Sequence, residues 1–290
     1  TASFVEDGKI LFACGEERLT RTKLQDGFPM KAIQLGLART GWTLDSIDIV
    51  AYSFFEGTEE AKLMNQAMVE DDRYHRSDAT QDSLQALSNV RASGYKPNLE
   101  PPIPGLERNK EFADAKTWLK KKLYSLSALA PQLDHKLHRR NFQQWVNDAT
   151  TDHALRTQQL HDGLEELGLR DKLRRYNHHE CHAANAFFYS GYEDALVMSF
   201  DGYGSGNCSA VYQASSDGLK KLHEFSFPNS LGQFYEHVTA ALGYQPGRHE
   251  GKIVGLAAYG DSKILGPVLR ARFTGMDEGD IRIRAACNYY

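Results

Sequence analysis

Ala195-Leu196-Val197-Met198-Ser199-Phe200-Asp201-Gly202-Tyr203-Gly204-Ser205-Gly206-Asn207 carries an apolar run straight into a glycine-rich turn. Ser209-Ala210-Val211-Tyr212-Gln213 then reads as a return strand, Ser216-Asp217-Gly218 as a second turn, and residues 219–225 as a third strand. Helical segments follow near 231–242 and 253–259. The start of the chain has the same order. Residues 2–5 are strand-prone, Glu6-Asp7-Gly8 is a turn signal, and Lys9-Ile10-Leu11-Phe12-Ala13 returns. Apolar runs on either side of Asp-Gly are a strong hairpin signal. Gly15 to Lys23 reads as a polar connection. Pro29 opens a helical pattern with Ile33, Leu35, Leu37 and Ala38 that stops at Gly41. Residues 49–54 are the third strand of this copy. Strand, glycine turn, strand and helix thus occur twice, which predicts a duplicated α/β fold with a cleft between halves, a common place for a ligand.

The stretch between the copies has another character. Over residues 56–150 strand signals fade and charge rises, and Trp118, Leu119, Leu123, Leu126 and Leu129 recur at roughly helical spacing. Pro97, Pro101, Pro102 and Pro104 mark a loop near 97–106. We expect a helical insertion with one irregular loop. Lys116, Lys120, Lys121, Lys122, Arg139 and Arg140 form local basic patches, read first as solvated helix faces and second as a surface for an anionic substrate or partner. The expected organisation is a first α/β half over 1–55, a helical insertion and connection over 56–176, and a metal-binding helix with the second half over 177–290.

Composition excludes several classes. Hydrophobic residues make up 41% and charged residues 25% of the 290, as in an ordinary globular protein. The net charge of −4 provides no global basic field for nucleic acid. No apolar run approaches the roughly 20 residues that span a bilayer, and no signal peptide is evident. Cys14, Cys181, Cys208 and Cys287 are scattered with no CxxC pair, which fits a reducing cytoplasm rather than a disulfide framework. The chain opens inside a strand pattern without an initiating methionine and ends without a terminating pattern. We therefore expect a piece of a longer polypeptide.

Four segments carry chemistry. Asn177-His178-His179-Glu180-Cys181-His182-Ala183-Ala184 places three histidines within five residues. On a helix His178 and His182 share a face one turn apart, so both imidazoles can hold one metal ion. Spacing does not choose among zinc, iron, copper and nickel, a third ligand must come from elsewhere, and a surface histidine cluster without metal has the same spacing. In Asp201-Gly202-Tyr203-Gly204, glycines let backbone N–H groups approach a phosphate, and the carboxylate can hold a metal or its water. This is neither a dinucleotide fingerprint, since a strand follows it, nor a Walker A loop. A plain tight turn is the alternative. His249-Glu250-Gly251-Lys252-Ile253-Val254-Gly255 puts a lysine at the mouth of a small-residue helix, where it can meet an anion. Its alternative is a solvated lysine with glycines packed for close approach. Gly15-Glu16-Glu17-Arg18-Leu19-Thr20-Arg21-Thr22-Lys23 offers an arginine fork and a lysine for phosphate or carboxylate, or else an exposed charged turn. His237 and Cys208 read as structural.

Taken in order, these segments resemble the O-carbamoyltransferases of the nodulation and antibiotic-biosynthesis type, over roughly residues 1–54 and 177–261. The resemblance implies a duplicated actin-like ATPase (ASKHA) fold with RNase H-like halves, here the Kae1/TsaD-like module. It implies a second, YrdC-like module that makes carbamoyl adenylate from carbamoyl phosphate and ATP, which nothing in this chain resembles and which is expected on a missing C-terminal part. It also implies transfer of the carbamoyl group to a hydroxyl of a small-molecule or glycan acceptor. His178 and His182 would be ligands to a divalent metal, iron first and zinc second, with His179 behind them or facing a phosphate. The third ligand would be an Asp beyond Tyr290. Asp201, Gly202 and Gly204 map to the nucleotide-phosphate hairpin, Gly251 and Lys252 to the second glycine motif, and Lys23 to a lysine at the transfer site. The family's His-Asp pair, a candidate acceptor base, would precede Thr1. Other readings are an actin-like-fold enzyme of threonylcarbamoyl-transferase or sugar-kinase type, and a non-catalytic nucleotide-binding fragment. Nothing in the sequence calls for a membrane or for nucleic acid.

Overall fold

The computed structural model describes residues 1–74, 88–90, 92–94, 131–227, 229–271, 273–274 and 282–283. The architecture is mixed α/β, in two compact units. One comprises Thr1–Leu63, Val146–Val197 and Tyr212–Lys221; the other Met64–Trp145, Met198–Val211 and Leu222–Tyr290. Among the described residues no helix is long and apolar enough to cross a membrane.

In the first unit, β1 (Ala2–Glu6) and β2 (Lys9–Cys14) form the expected antiparallel hairpin. Asp7 and Gly8 turn it with φ of 48° and 75°, the mirror-image geometry that follows strand twist. Phe4 is buried, with Phe12 and Trp42 rings at 5.9 and 5.7 Å. Its ring fills a notch at Gly36 of α2 (Met30–Thr40), where a Cβ would clash with it. Gly41 closes α2 at φ 74° with its N–H on Leu37 O, the left-handed cap that Gly allows.

Glu16–Thr20 is a helix, α1, where the sequence suggested only a polar connection. The reason is tertiary. Pro29, the N-cap of α2, gives no side-chain cap. Glu16 takes that role, accepting from Lys31 N at 3.1 Å and Ala32 N at 2.8 Å, the first-turn donors a helix leaves open.

The third expected strand is shorter than predicted, β3 (Val50–Tyr52), and pairs in parallel with β4 (Leu173–Arg175). The sequence did not announce β4, because Leu173-Arg174-Arg175 has neither an apolar run nor alternation. Parallel strands need a crossover connection, so everything from Ser53 to Lys172 is one crossover. Within it lie the helices α3 (Gly57–Tyr74) and α4 (Pro131–Glu166). Leu160, Leu164 and Leu169 pack under Phe28, Leu44, Ile47, Val50, Tyr52 and Leu173. The leucine spacing over 118–129, the proline loop at 97–106 and the lysines at 116–122 lie outside the described residues. Arg139 and Arg140 are exposed on α4, as a solvated face requires.

The strands expected from residue 195 onward are present. β5 (Ala195–Gly204), β6 (Asn207–Ser215) and β7 (Gly218–Ser226) form a three-stranded sheet in that order. One correction bears on the site. The turn between β5 and β6 is only Ser205-Gly206, with φ of 51° and 84°, so Asp201, Gly202 and Gly204 lie on β5 itself. A two-residue mirror-image turn needs positive φ at two positions alone, and the strand absorbs the other glycines. In the second unit Trp145 stacks on Phe227 at 4.2 Å, with Phe142 and Tyr203 at 5.3 and 5.4 Å from Phe227. The helices α6 (Leu231–Ala241), α7 (Glu250–Ala257) and α8 (Ser262–Arg270) come next, then the short pair β8 (Phe273–Thr274) and β9 (Arg282–Ile283).

Candidate metal centre and glycine hairpin

The histidine motif forms a helix, α5 (His178–Phe188), because Asn177 caps it. Its Oδ1 accepts from His179 N at 3.0 Å and Glu180 N at 3.2 Å, two of the orphan first-turn donors. The helix sets His178 and His182 on one face, rings perpendicular and centroids 4.6 Å apart. Their Nε2 atoms are 3.0 Å apart. An ion at the ordinary zinc–imidazole distance of about 2.05 Å from both would see them at roughly 95°. That angle lies between octahedral and tetrahedral values, so the two nitrogens fit a common divalent ion.

The His178 tautomer is set from outside the helix. Nδ1 lies 3.2 Å from the carbonyl oxygen of Ser53. A carbonyl only accepts, so Nδ1 carries the proton and Nε2 presents its lone pair toward His182. A ligand histidine is commonly fixed this way. Phe54 lies over the same ring, 4.3 Å away and tilted by 30°. The His153 ring lies 5.2 Å from that of Phe54. Burial holds the His153 imidazole below its ordinary range, against the opposing pull of Glu60 and Asp152. His179 is fully buried, its ring 5.6 Å from that of His178.

Lys23 is exposed in the turn after α1. Glu17 shapes that turn, its Oε2 accepting from Leu24 N at 2.9 Å. Arg21 and Leu24 adopt left-handed φ of 62° and 57° on either side of Lys23.

Asp201 and Gly202 belong to the second unit. Gly202 N donates to Asp201 Oδ1 at 2.6 Å, and Ser230 Oγ donates to Asp201 O at 2.8 Å. Ser230 also caps α6, accepting from Gln233 N at 3.1 Å. The helix start therefore lies against the backbone of Asp201 and Gly202. Gly232 permits this approach, since a Cβ there would sit 2.8 Å from Asp201 C and O and from Gly202 N. Burial raises the Glu236 carboxyl on α6, with Glu250 and Asp201 adding to it. Gly251 and Lys252 occupy the first turn of α7 and are exposed. The Lys252 ammonium lies 6.0 Å from the Tyr244 ring centroid. A Cβ at Gly251 or Gly255 would meet nothing, so close packing does not account for these two glycines. Cys208 is structural as expected: burial pushes its thiol up to about 12, and Sγ donates to Phe225 O at 3.2 Å.

The site is thus brought together in pieces. His178 and His182 converge; Asp201 and Gly202 lie together beside α6; Lys23 stands in its own turn. Sequence reasoning missed Ser53, Phe54, Arg175, Glu60, Ser230 and Gly232. Ser53 acts through its backbone and leaves no side-chain signal. The Ser230 cap and the nearby glycine were legible as a helix start.

Residues 1–288 match the family model described as Carbamoyltransferase N-terminus. The chain belongs to this family. It is similar to the uncharacterized protein sll1178 of Synechocystis, 25% identical over 285 residues, or 98% of this chain and 37% of the relative. It is similar to the nodulation protein NolNO of Sinorhizobium fredii, 25% identical over 282 residues, or 97% of this chain and 31% of the relative. NolO of Bradyrhizobium diazoefficiens is 36% identical over 107 residues, 37% of this chain and 19% of the relative. The chain spans about a third of the two relatives that it matches along nearly its whole length.

Proposed function

We propose that this chain is the metal-binding, acceptor-side module of an ATP-dependent O-carbamoyltransferase, passing a carbamoyl group from carbamoyl adenylate to a hydroxyl of a small-molecule or glycan acceptor. The observation that carries the reading is the pair of Nε2 atoms 3.0 Å apart, with Nδ1 of His178 on a backbone carbonyl. His178 and His182 would hold a divalent ion, iron first and zinc second, with an acidic third ligand. Bound there, such an ion supplies Lewis-acid stabilisation of negative charge on the leaving phosphate.

The rest of the chemistry falls to the chain. The acceptor oxygen forms a bond to the carbamoyl carbon while the bond from that carbon to the phosphate oxygen breaks. The hydroxyl proton passes to a base and AMP leaves. Orientation of the hydroxyl and fixed donors at the phosphate lower this barrier most. In this reading the Gly204 amide and the Lys252 ammonium face the nucleotide phosphate, and Asp201 orders the hairpin by accepting from the Gly202 amide. Lys23, in the turn held by Glu17, provides a point charge at the transfer site. His179 supports the ligand pair from behind. The adenylate would come from a YrdC-like module.

Metal content by plasma emission tests the reading, with wild type beside the His178→Ala/His182→Ala double variant. Near-stoichiometric iron or zinc in wild type, absent from a folded variant, is expected. Full occupancy retained in the variant overturns the assignment.

A further inference from the structure

Four successive carbonyls, from Tyr52 to Phe55, all accept hydrogen bonds from residues 175–178. Tyr176 N donates to Tyr52 O at 2.9 Å, continuing the β3–β4 ladder. His178 Nδ1 donates to Ser53 O at 3.2 Å. Arg175 Nη1 donates to Phe54 O at 3.2 Å and Phe55 O at 2.9 Å. An amide of the segment is answered too: Phe55 N donates to Oε1 of Glu60, which is fully buried, at 3.1 Å. Arg175 has partners of its own. Its Nε lies 2.9 Å from Glu56 Oε1 in an ion pair without hydrogen-bond alignment, its Nη2 3.2 Å from His161 Nε2, and its guanidinium 5.2 Å from the Tyr52 ring centroid. Its side chain is 11% exposed.

We infer that Arg175 is a positioning residue for His178, gripping the Phe54 and Phe55 carbonyls so that the Ser53 oxygen and the Phe54 ring fix the tautomer and plane of the imidazole. The step to metal binding rests on the proposed ligand role of His178 and His182. The physical case is one of geometry. After Tyr52 the strand pairing ends, and the chain must turn within four residues into α3 at Gly57. A turning segment holds a carbonyl in one direction only if its neighbours are tied. A planar fork reaches two adjacent carbonyls at once, and an ammonium does so poorly. Arg175 lies three residues before His178, so the same stretch carries both the grip and the ring it orients. Arg156 is a suitable control: it is a nearby cation of the same unit that pairs with Asp152 and Asp26 instead.

The experiment uses the whole chain in wild-type, Arg175→Gln, Arg175→Lys and Arg156→Gln forms. The first readout is the His178 tautomer in apoprotein, from imidazole nitrogen shifts of histidine-labelled samples. The second is Zn2+ affinity by competition with a chromogenic chelator. Arg175→Gln is expected to lose the single Nδ1–H tautomer and to bind Zn2+ about 10- to 100-fold more weakly, the usual range for loss of an outer-shell support. Arg175→Lys should recover part of both, and Arg156→Gln should match wild type. Folded Arg175→Gln with the wild-type tautomer and an affinity within about twofold, well short of that range, overturns the inference. If Arg175→Gln does not fold, Arg175→Lys decides by the same criteria, full wild-type values counting against. If wild type binds no Zn2+, the ligand reading fails alone, and the apoprotein tautomer still decides whether Arg175 orients the ring.

Discussion

Replacing Glu16 by alanine should destabilise the first unit by about 1.5–5 kcal/mol, the sum of a lost helix cap and a stranded buried amide. Glu16 is 7% exposed and its two carboxylate oxygens meet the Lys31 and Ala32 amides at 3.1 and 2.8 Å. It performs for α2 the work of an N-cap, whose removal costs about 0.5–2 kcal/mol. The two donors fare differently once the carboxylate is gone. Lys31 is exposed and its amide can turn to water. Ala32 is fully buried, so its amide is stranded, at about 1–3 kcal/mol more. Glu16→Gln keeps one acceptor oxygen but sets an NH2 against the other donor, so about half of the loss is expected. Glu17→Ala is the contrast. Glu17 accepts from the exposed Leu24 amide and pairs with the exposed Arg18, Oε1 to Nε 3.8 Å, and its loss should cost under about 1 kcal/mol while loosening the turn that carries Lys23. Urea unfolding gives the total, and amide exchange at Ala32 gives the local share. Glu16→Ala within about 0.5 kcal/mol of wild type, the scatter of a neutral surface change, with unchanged Ala32 protection, would refute the cap.

His178→Ala and His182→Ala singly should each lower metal occupancy while leaving the circular-dichroism spectrum intact; a single variant with full occupancy speaks against a shared ion. Asp201→Ala should weaken nucleotide binding, measured calorimetrically, more than it lowers the unfolding midpoint, and unchanged affinity counts against the phosphate-hairpin reading. Glu236 has its carboxyl raised above the usual 4.5 by burial and by Glu250 and Asp201. Its contribution to stability is complete below the unfolded value and declines as pH rises through the raised folded value. Glu236→Gln removes that decline, so its stability relative to wild type should grow from pH 4.5 upward; a pH-independent difference refutes the shift. Gly232→Ala should cost about 1–3 kcal/mol through backbone overlap with Asp201 and Gly202, less about 1 kcal/mol of helix propensity gained. Its sharper readout is weakened nucleotide binding, and unaltered binding argues against α6 as the support of the hairpin.

Legibility followed the range of the interaction. The β1–β2 hairpin was readable because Asp7-Gly8 dictates its own turn. The ends of α2 were readable because Pro29 and Gly41 act within a few residues. The helical face of His178 and His182 was readable because spacing fixes it. The failures were non-local. α1 exists because its Glu16 caps a different helix, 15 and 16 residues on. β4 exists because β3 offers it an edge. The extent of the glycine turn was misjudged because Gly202 and Gly204 belong to a strand, where α6 and the sheet set their use.

The same distinction separates a histidine pair from a ligand pair. Spacing of four residues brings two imidazoles to one face, and surface helices do this without any metal. A ligand must also present a lone pair in a fixed direction, which the helix cannot impose, since a histidine side chain rotates about two bonds and exchanges tautomers. In this chain the direction comes from Ser53, 125 residues earlier. That carbonyl is within reach because β3 and β4 pair in parallel, so both strands run toward the same end. The helix after β4 and the turn after β3 then start side by side. The long insertion within the crossover leaves this register untouched, because a parallel pair constrains only its ends. The direction of the His178 lone pair is thus set by the parallel pair and not by the helix that carries the ring.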